Sequence, residues 1–230
     1  MKPWSKMPTW WYRYVRTPRI DLHSEGGFQC TPFALLRGGS RAGESQAALR
    51  ILLAITVSDR SAADFDAKLS LDELEDLTQL SRSMVLKGVR LAADHGYIAY
   101  EAGKPRTKSS FSLLQGPGQV DQGWAKAPNE EIRTRIPKLP HRGDAALASL
   151  KIYLTLLAAR SRNNAVVRLK HETLRSKAGC QAKHVRSAIS LLANEGLIHV
   201  LSEDESKDPI YRVQQYQICG KLDAPRRWNE

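Results

Sequence analysis

Apolar positions along this chain change period several times, and the changes come twice in the same order. From Ser45 (SQAALRILLAITV) and from Ala145 (AALASLKIYLTLLAARSR) most helical faces are apolar, which predicts two largely buried helices. A short helix follows each, at LDELEDL from Leu71 and at KHETLRSKA from Lys170. Ser70 with Glu73 three positions later forms a capping box at the first; the second lacks that cap. A third helix runs from about Arg82 to His95 and again from about Ala182 to Glu195. Its inward stripe is Val85, Val89 and Ala92, matched by Val185, Ile189 and Leu192. Gly96 and Gly196 supply the left-handed residue that ends such a helix. Strands follow at YIAYE and LIHVL, and the hairpins close at SFSLL and IYRVQQYQI.

The two series are in register. LAADHGYI begins at Leu91 and LLANEGLI at Leu191; Leu69, Leu74, Val85, Gly88 and Val89 fall on Leu169, Leu174, Val185, Ala188 and Ile189. Further back, LRILLAI from Leu49 matches LKIYLTL from Leu150, so a one-residue loop difference separates the offsets. The expected fold is mainly α with small β-hairpins (α+β), in two tandem units covering 45–114 and 143–218. Residues 1–44 read as a basic, aromatic arm with a short helix at TPFALLRG, where Thr31 is the N-cap, Pro32 the first helical residue and Gly38 lies past the end. Residues 115–142 read as a Gly- and Pro-rich linker whose IRTRIPKLP enters the second unit as an extended strand, and 219–230 as a tail.

The turns between second and third helices, within LEDLTQLSRSMVLKGV and LRSKAGCQAKHVRSAI, resemble those of the winged helix-turn-helix family. Gly179 holds the position where that turn wants positive φ; Gln79 departs from the pattern at a strain of about 1–2 kcal/mol. Cys180 reads as a small apolar residue of the turn. In layout the chain is similar to bacterial transcriptional regulators and to plasmid and phage replication initiators. The resemblance implies sequence-specific binding of double-stranded DNA on a bipartite site, by a monomer that carries both reading units.

A recognition helix reads the major groove through outward polar residues near its N-terminus. The first offers Arg82, Ser83, Met84, Lys87 and Arg90, the second Gln181, Lys183, His184, Arg186 and Ser187. The wings differ: Lys104, Arg106 and Lys108 suit phosphate, whereas Glu203, Asp204, Glu205 and Asp208 around Lys207 would be repelled by it and suit a protein partner. Tandem winged helices also serve as protein-binding scaffolds in chromosome-condensing complexes, which are usually acidic.

Charge favours the nucleic-acid reading, since 35 Lys and Arg against 24 Asp and Glu leave +11. It is uneven: residues 45–114 carry nine of each sign, so local placement must carry the argument. The arm segment WSKMPTWWYRYVR suits stacking on bases or docking on the first unit, and both stay open. No apolar run reaches the ~20 residues of a membrane helix, and the N-terminus lacks the apolar core of a signal peptide, so a cytoplasmic, nucleoid- or plasmid-associated protein is expected. Cys30, Cys180 and Cys219 lie far apart without metal-ligand spacing. GGSRAGES from Gly38 has phosphate-loop spacing, but Glu44 stands where the lysine must be. With no catalytic constellation, neither an enzyme nor a cofactor is expected.

Overall fold

The computed structural model describes residues 2–12, 15–16, 29–58, 65–104, 107–116, 123–160, 164–201 and 213–222. Its elements are β1 (Trp4–Pro8), β2 (Val15–Arg16), β3 (Gln29–Cys30), α1 (Ala42–Val57), β4 (Asp66–Leu69), α2 (Leu71–Thr78), α3 (Arg82–Asp94), β5 (Ile98–Glu101), β6 (Ser109–Leu113), β7 (Trp124–Pro128), α4 (Asn129–Arg135), α5 (Asp144–Ala159), β8 (Val166–Leu169), α6 (His171–Ala178), α7 (Ala182–Asn194), β9 (Ile198–Leu201) and β10 (Gln214–Ile218). The fold is mixed α and β. From α1 to β6 and from α5 to β10 the order is helix, strand, helix, helix, strand, strand, and each series closes a three-stranded antiparallel sheet, β4-β6-β5 or β8-β10-β9.

The repeat is faithful in three dimensions: from Ser81 to Tyr100 and from Gln181 to Val200 the degree of burial agrees position by position. α1 and α5 are apolar nearly all round because each packs on its own third helix and on the other long helix. Gly88 lets α3 approach α1 closely, since a Cβ there would stand 2.8 Å from the Ala47 carbonyl carbon. Both turns between the second and third helices use a left-handed residue, Gln79 at φ 53° and Gly179 at φ 58°. Gly179 is further pinned, because a Cβ would stand 2.7 Å from the Ala34 backbone. The first turn tolerates Gln79, whose amide bonds back to the Asp76 carbonyl at 2.9 Å.

A second repeat joins the two series. Trp4-Ser5-Lys6-Met7-Pro8 and Trp124-Ala125-Lys126-Ala127-Pro128 share the pattern W-x-K-x-P, and they pair with each other as antiparallel strands. The register sets Trp4 opposite Pro128, Lys6 opposite Lys126 and Pro8 opposite Trp124, so exchanging the strands reproduces the same pairing. The segment after each strand crosses over. The 3-10 turn Trp10–Tyr12 lies on α5 and Pro32–Leu35 on α6, whereas α4 lies on α1 and the 3-10 turn Ile136–Lys138 on α2. The two series are therefore related by an approximate two-fold axis, each clasped by the segment that leads into the other, as at an isologous dimer interface.

These contacts decide between the two readings of the arm and revise several other expectations. The arm docks: Trp4, Met7, Trp10 and Trp11 are all buried, so none of them is a free stacking platform. Tyr14 lies outside the described residues. IRTRIPKLP is helical, completing α4 and then Ile136–Lys138, because Glu130 and Glu131 in the first turn and Arg133 and Arg135 in the last complement the helix dipole. The segment 115–142 is thus structured over much of its length. TPFALLRG forms only a 3-10 turn, in which the Thr31 hydroxyl makes no capping bond and Leu36, not Gly38, ends the turn. α1 starts at Ala42, inside the stretch assigned to the arm. β4 and β8 are additional strands, four residues each, too short for a distinct alternating pattern.

Candidate nucleic-acid interface

α3 is set by the inward stripe Val85, Gly88, Val89 and Ala92, leaving Arg82, Ser83, Leu86, Lys87 and Arg90 exposed. Two of its cations are already paired. The Arg82 guanidinium donates to Asp72 at 2.8 Å and Glu75 at 3.3 Å on α2, and the Lys87 ammonium lies 3.3 Å from Glu44 on α1. Met84 is half-buried rather than outward: it precedes Gly88 by one helical turn and flanks the buried stripe, 3.7 Å from the Cβ position of Gly43.

α7 repeats that frame with other chemistry. Lys183, Arg186 and Ser187 are exposed, as is Gln181, which holds the N-cap position without a side-chain capping bond. Arg186 stands where the first copy exposes Leu86. His184 is turned inward for the reason that Met84 is, and its Nε2 lies 3.6 Å from an Asp144 carboxylate oxygen, beyond hydrogen-bond reach. From Ser70 to Asp94 three Lys and Arg face five Asp and Glu, a net −2; from Lys170 to Asn194 five face one, a net +4. The same backbone thus carries opposite potential in the two copies.

Between β5 and β6, Lys104 is exposed, and Lys108 is drawn back to the start of α2, its ammonium 2.5 Å from Glu73. That hydrogen bond, followed by those from Ser70, holds the Glu73 carboxyl below its ordinary range. The capping box is formed in full, with the Glu73 N–H donating to Ser70 Oγ at 3.1 Å and the Ser70 N–H to Glu73 Oε2 at 2.8 Å. Arg106 and, between β9 and β10, Glu203, Asp204, Glu205, Lys207 and Asp208 lie outside the described residues.

Two functional-looking residues escape the sequence pattern, although the repeat marks them. Arg50 and Lys151 are equivalent cations in the most apolar stretches of α1 and α5, each almost fully buried. Arg50 donates to the carbonyls of Thr78 (3.3 Å), Ile136 (2.9 Å), Leu139 (2.7 Å) and Pro140 (3.4 Å). It closes the end of α2 and ties it to the crossing segment of the other copy. Burial pulls its guanidinium down to about 10, still charged at neutral pH. Lys151 makes a similar bond one position further along, to the Gly179 carbonyl at 3.0 Å, at the end of α6.

No family model and no curated protein matches this chain. Among the described residues no helix is long and apolar enough to cross a membrane.

Proposed function

We propose that the two series are winged helices and that the chain binds double-stranded DNA sequence-specifically, in transcriptional control or replication initiation, with the second copy as principal reader. One observation carries this. On frames that agree in burial at every position of the third helix, the first copy offsets Arg82 and Lys87 with carboxylates, whereas the second presents Lys183 and Arg186 with Arg175 exposed on α6, Lys177 lying over the Tyr12 ring and Glu172 as the one acid between Lys170 and Asn194. Lysine and arginine at the start of such a helix suit guanine edges and phosphates.

Because the two-fold axis relates α3 to α7, the two helices would meet a duplex in opposite directions, and the halves of the site would differ as the helices do. The first copy also fits a protein partner: Leu86 is 46% exposed at the centre of its outward face, beside acidic α2. Binding of the full chain to a randomised duplex library, compared with the Lys183→Ala/Arg186→Ala variant, tests the reading. Loss of enrichment supports it, and unchanged enrichment rejects the second copy as reader.

A further inference from the structure

The equivalent buried cations end differently, and a cavity lies beside the shorter one. In the first copy the Arg50 guanidinium reaches the carbonyls at the end of α2 and of the crossing segment. Lysine is shorter and ends in a single ammonium, so Lys151 stops at the Gly179 carbonyl. Around it lies a cavity of about 500 Å3, bounded by the start of α5, the α6–α7 turn, the first residues of α7 and the segment from Ala34 to Gly39. That volume falls within the range of small-molecule sites.

We propose that this cavity is a binding site for a small molecule carrying a phosphate or carboxylate group, held by Lys151, His184, Arg37 and Lys183. The donors converge from three parts of the fold: α5, the start of α7 and the segment from Ala34 to Gly39. Lys151 is 3% exposed and uses one of its three donors on Gly179. His184 Nε2 is buried without a hydrogen-bond partner. Arg37 and Lys183 stand exposed at the rim. Asp144, the one carboxylate in the lining, accepts from the Gly39 N–H at 2.7 Å through one oxygen and faces His184 Nε2 at 3.6 Å through the other; Arg37, Lys151 and Lys183 outnumber it, which leaves the cavity with a cationic balance. A buried, desolvated lysine facing a cavity is the arrangement in which an anion recovers most of the lost hydration energy.

Occupancy would also act on α7. Gln181 to His184 form both the cavity wall and the start of the proposed recognition helix, so a bound anion adds negative charge beside Lys183 and should weaken DNA binding. This last step rests on the DNA reading; the binding step does not.

The test uses the full chain without DNA. Pyrophosphate and citrate are titrated by calorimetry against wild type, Lys151→Met, Lys151→Arg and His184→Met, at ionic strength matched with sodium chloride. Lys151→Arg installs the first copy's own residue, whose longer, forked head would be spent on backbone carbonyls as Arg50 is, and His184→Met installs its Met84. Saturable binding to wild type, weakened at least tenfold by Lys151→Met and by Lys151→Arg, is expected. Circular dichroism identifies any variant that fails to fold, and Lys151→Arg, which repeats a side chain this fold already accepts at the equivalent place, keeps the test decisive. Binding no stronger than in the salt control, or equal in all four proteins, overturns the proposal. Repeating the titration with DNA present separates the two readings: anion binding without any DNA affinity would leave the site standing and reject the DNA function.

Discussion

Lys6 lies opposite Lys126 in the β1–β7 pair, and each ammonium stands 5.0 Å from the ring of the tryptophan on the opposite strand, Lys6 over Trp124 and Lys126 over Trp4. Two like charges facing each other across a sheet are ordinarily unfavourable. Here the stacked tryptophans, 5.8 Å apart and nearly parallel, give each cation a π-face, and Lys126 also donates to the Leu222 carbonyl at 3.0 Å. The pair sits at the symmetric centre of the chain, and the crossed segments on either side make the two copies one folding unit.

Trp4→Ala should therefore destabilise the whole molecule, by about 3–5 kcal/mol, as expected for a buried tryptophan. Urea unfolding followed by tryptophan fluorescence and by circular dichroism should show one coincident transition moved to lower denaturant. Two separate transitions would show that the copies fold independently.

Arg50→Ala should cost about 3–5 kcal/mol, because four carbonyl contacts lose their donor in a buried setting. Arg50→Lys should recover part of this, since lysine serves the same place in the second copy. The same unfolding measurement checks both variants, and an Arg50→Lys protein as unstable as Arg50→Ala would contradict the equivalence of the two positions.

Lys151 carries a pH signature. Burial, partly offset by Cys180 and Asp144, lowers its ammonium to about 8 from 10.5. Below about pH 8 both folded and unfolded chains are protonated there, and the folded chain bears the full cost of the buried charge. Between about 8 and 10.5 the unfolded chain keeps the proton that the folded chain has released, so stability rises with pH. The interval corresponds to about 3 kcal/mol. Relative to Lys151→Met, wild type should gain up to that much between pH 8 and 10.5; the other titratable groups facing Lys151, namely Cys180, Arg37, Lys183, His184 and Asp144, are common to both proteins. A constant difference across this window would show that the lysine is not desolvated.

Sequence pattern reaches the duplicated units because their signals are local: a period of 3.6 in α3 and α7, the Ser70–Glu73 box, and glycines at 96, 179 and 196. It names Arg82 and Arg186 alike without separating the paired one from the unpaired, since pairing depends on where Asp72 and Glu75 come to lie. The crossing of the segments is hidden for another reason. W-x-K-x-P recurs at an offset of 120, not 100, and a five-residue strand pairing has no period of its own. Met84 and His184 look outward because one is polarisable and the other polar, although four residues separate each from the buried 88 and 188 positions. The cavity beside Lys151 has no sequence signal, because it depends on the segment from Ala34 to Gly39 arriving from the other copy.

Recognition by two helices of opposite polarity can be mapped directly. A cleavage reagent attached to cysteine at Lys87 or at Ser187, equivalent exposed positions on α3 and α7, should cut the bound duplex at separate places with strand offsets of opposite sense. Offsets of the same sense would place the two units head to tail on DNA and contradict the two-fold arrangement.

The division of labour predicts unequal alanine effects. Lys183→Ala and Arg186→Ala should each cost about 1–3 kcal/mol in duplex affinity, measured by fluorescence anisotropy on an enriched site. Arg82→Ala and Lys87→Ala break exposed ion pairs and should change affinity by less than about 0.5 kcal/mol.

The most direct measurement is the salt dependence of duplex binding by the full chain. Phosphate contacts release counterions, each contributing about −0.9 to the slope of log affinity against log salt. Wild type should show a slope of about −4 to −6 between roughly 50 and 300 mM salt, and Lys183→Ala/Arg186→Ala should reduce its magnitude by up to about 2. A flat dependence, or the same reduction from Arg82→Ala/Lys87→Ala as from the second-copy pair, would contradict a DNA-binding protein that reads through its second copy.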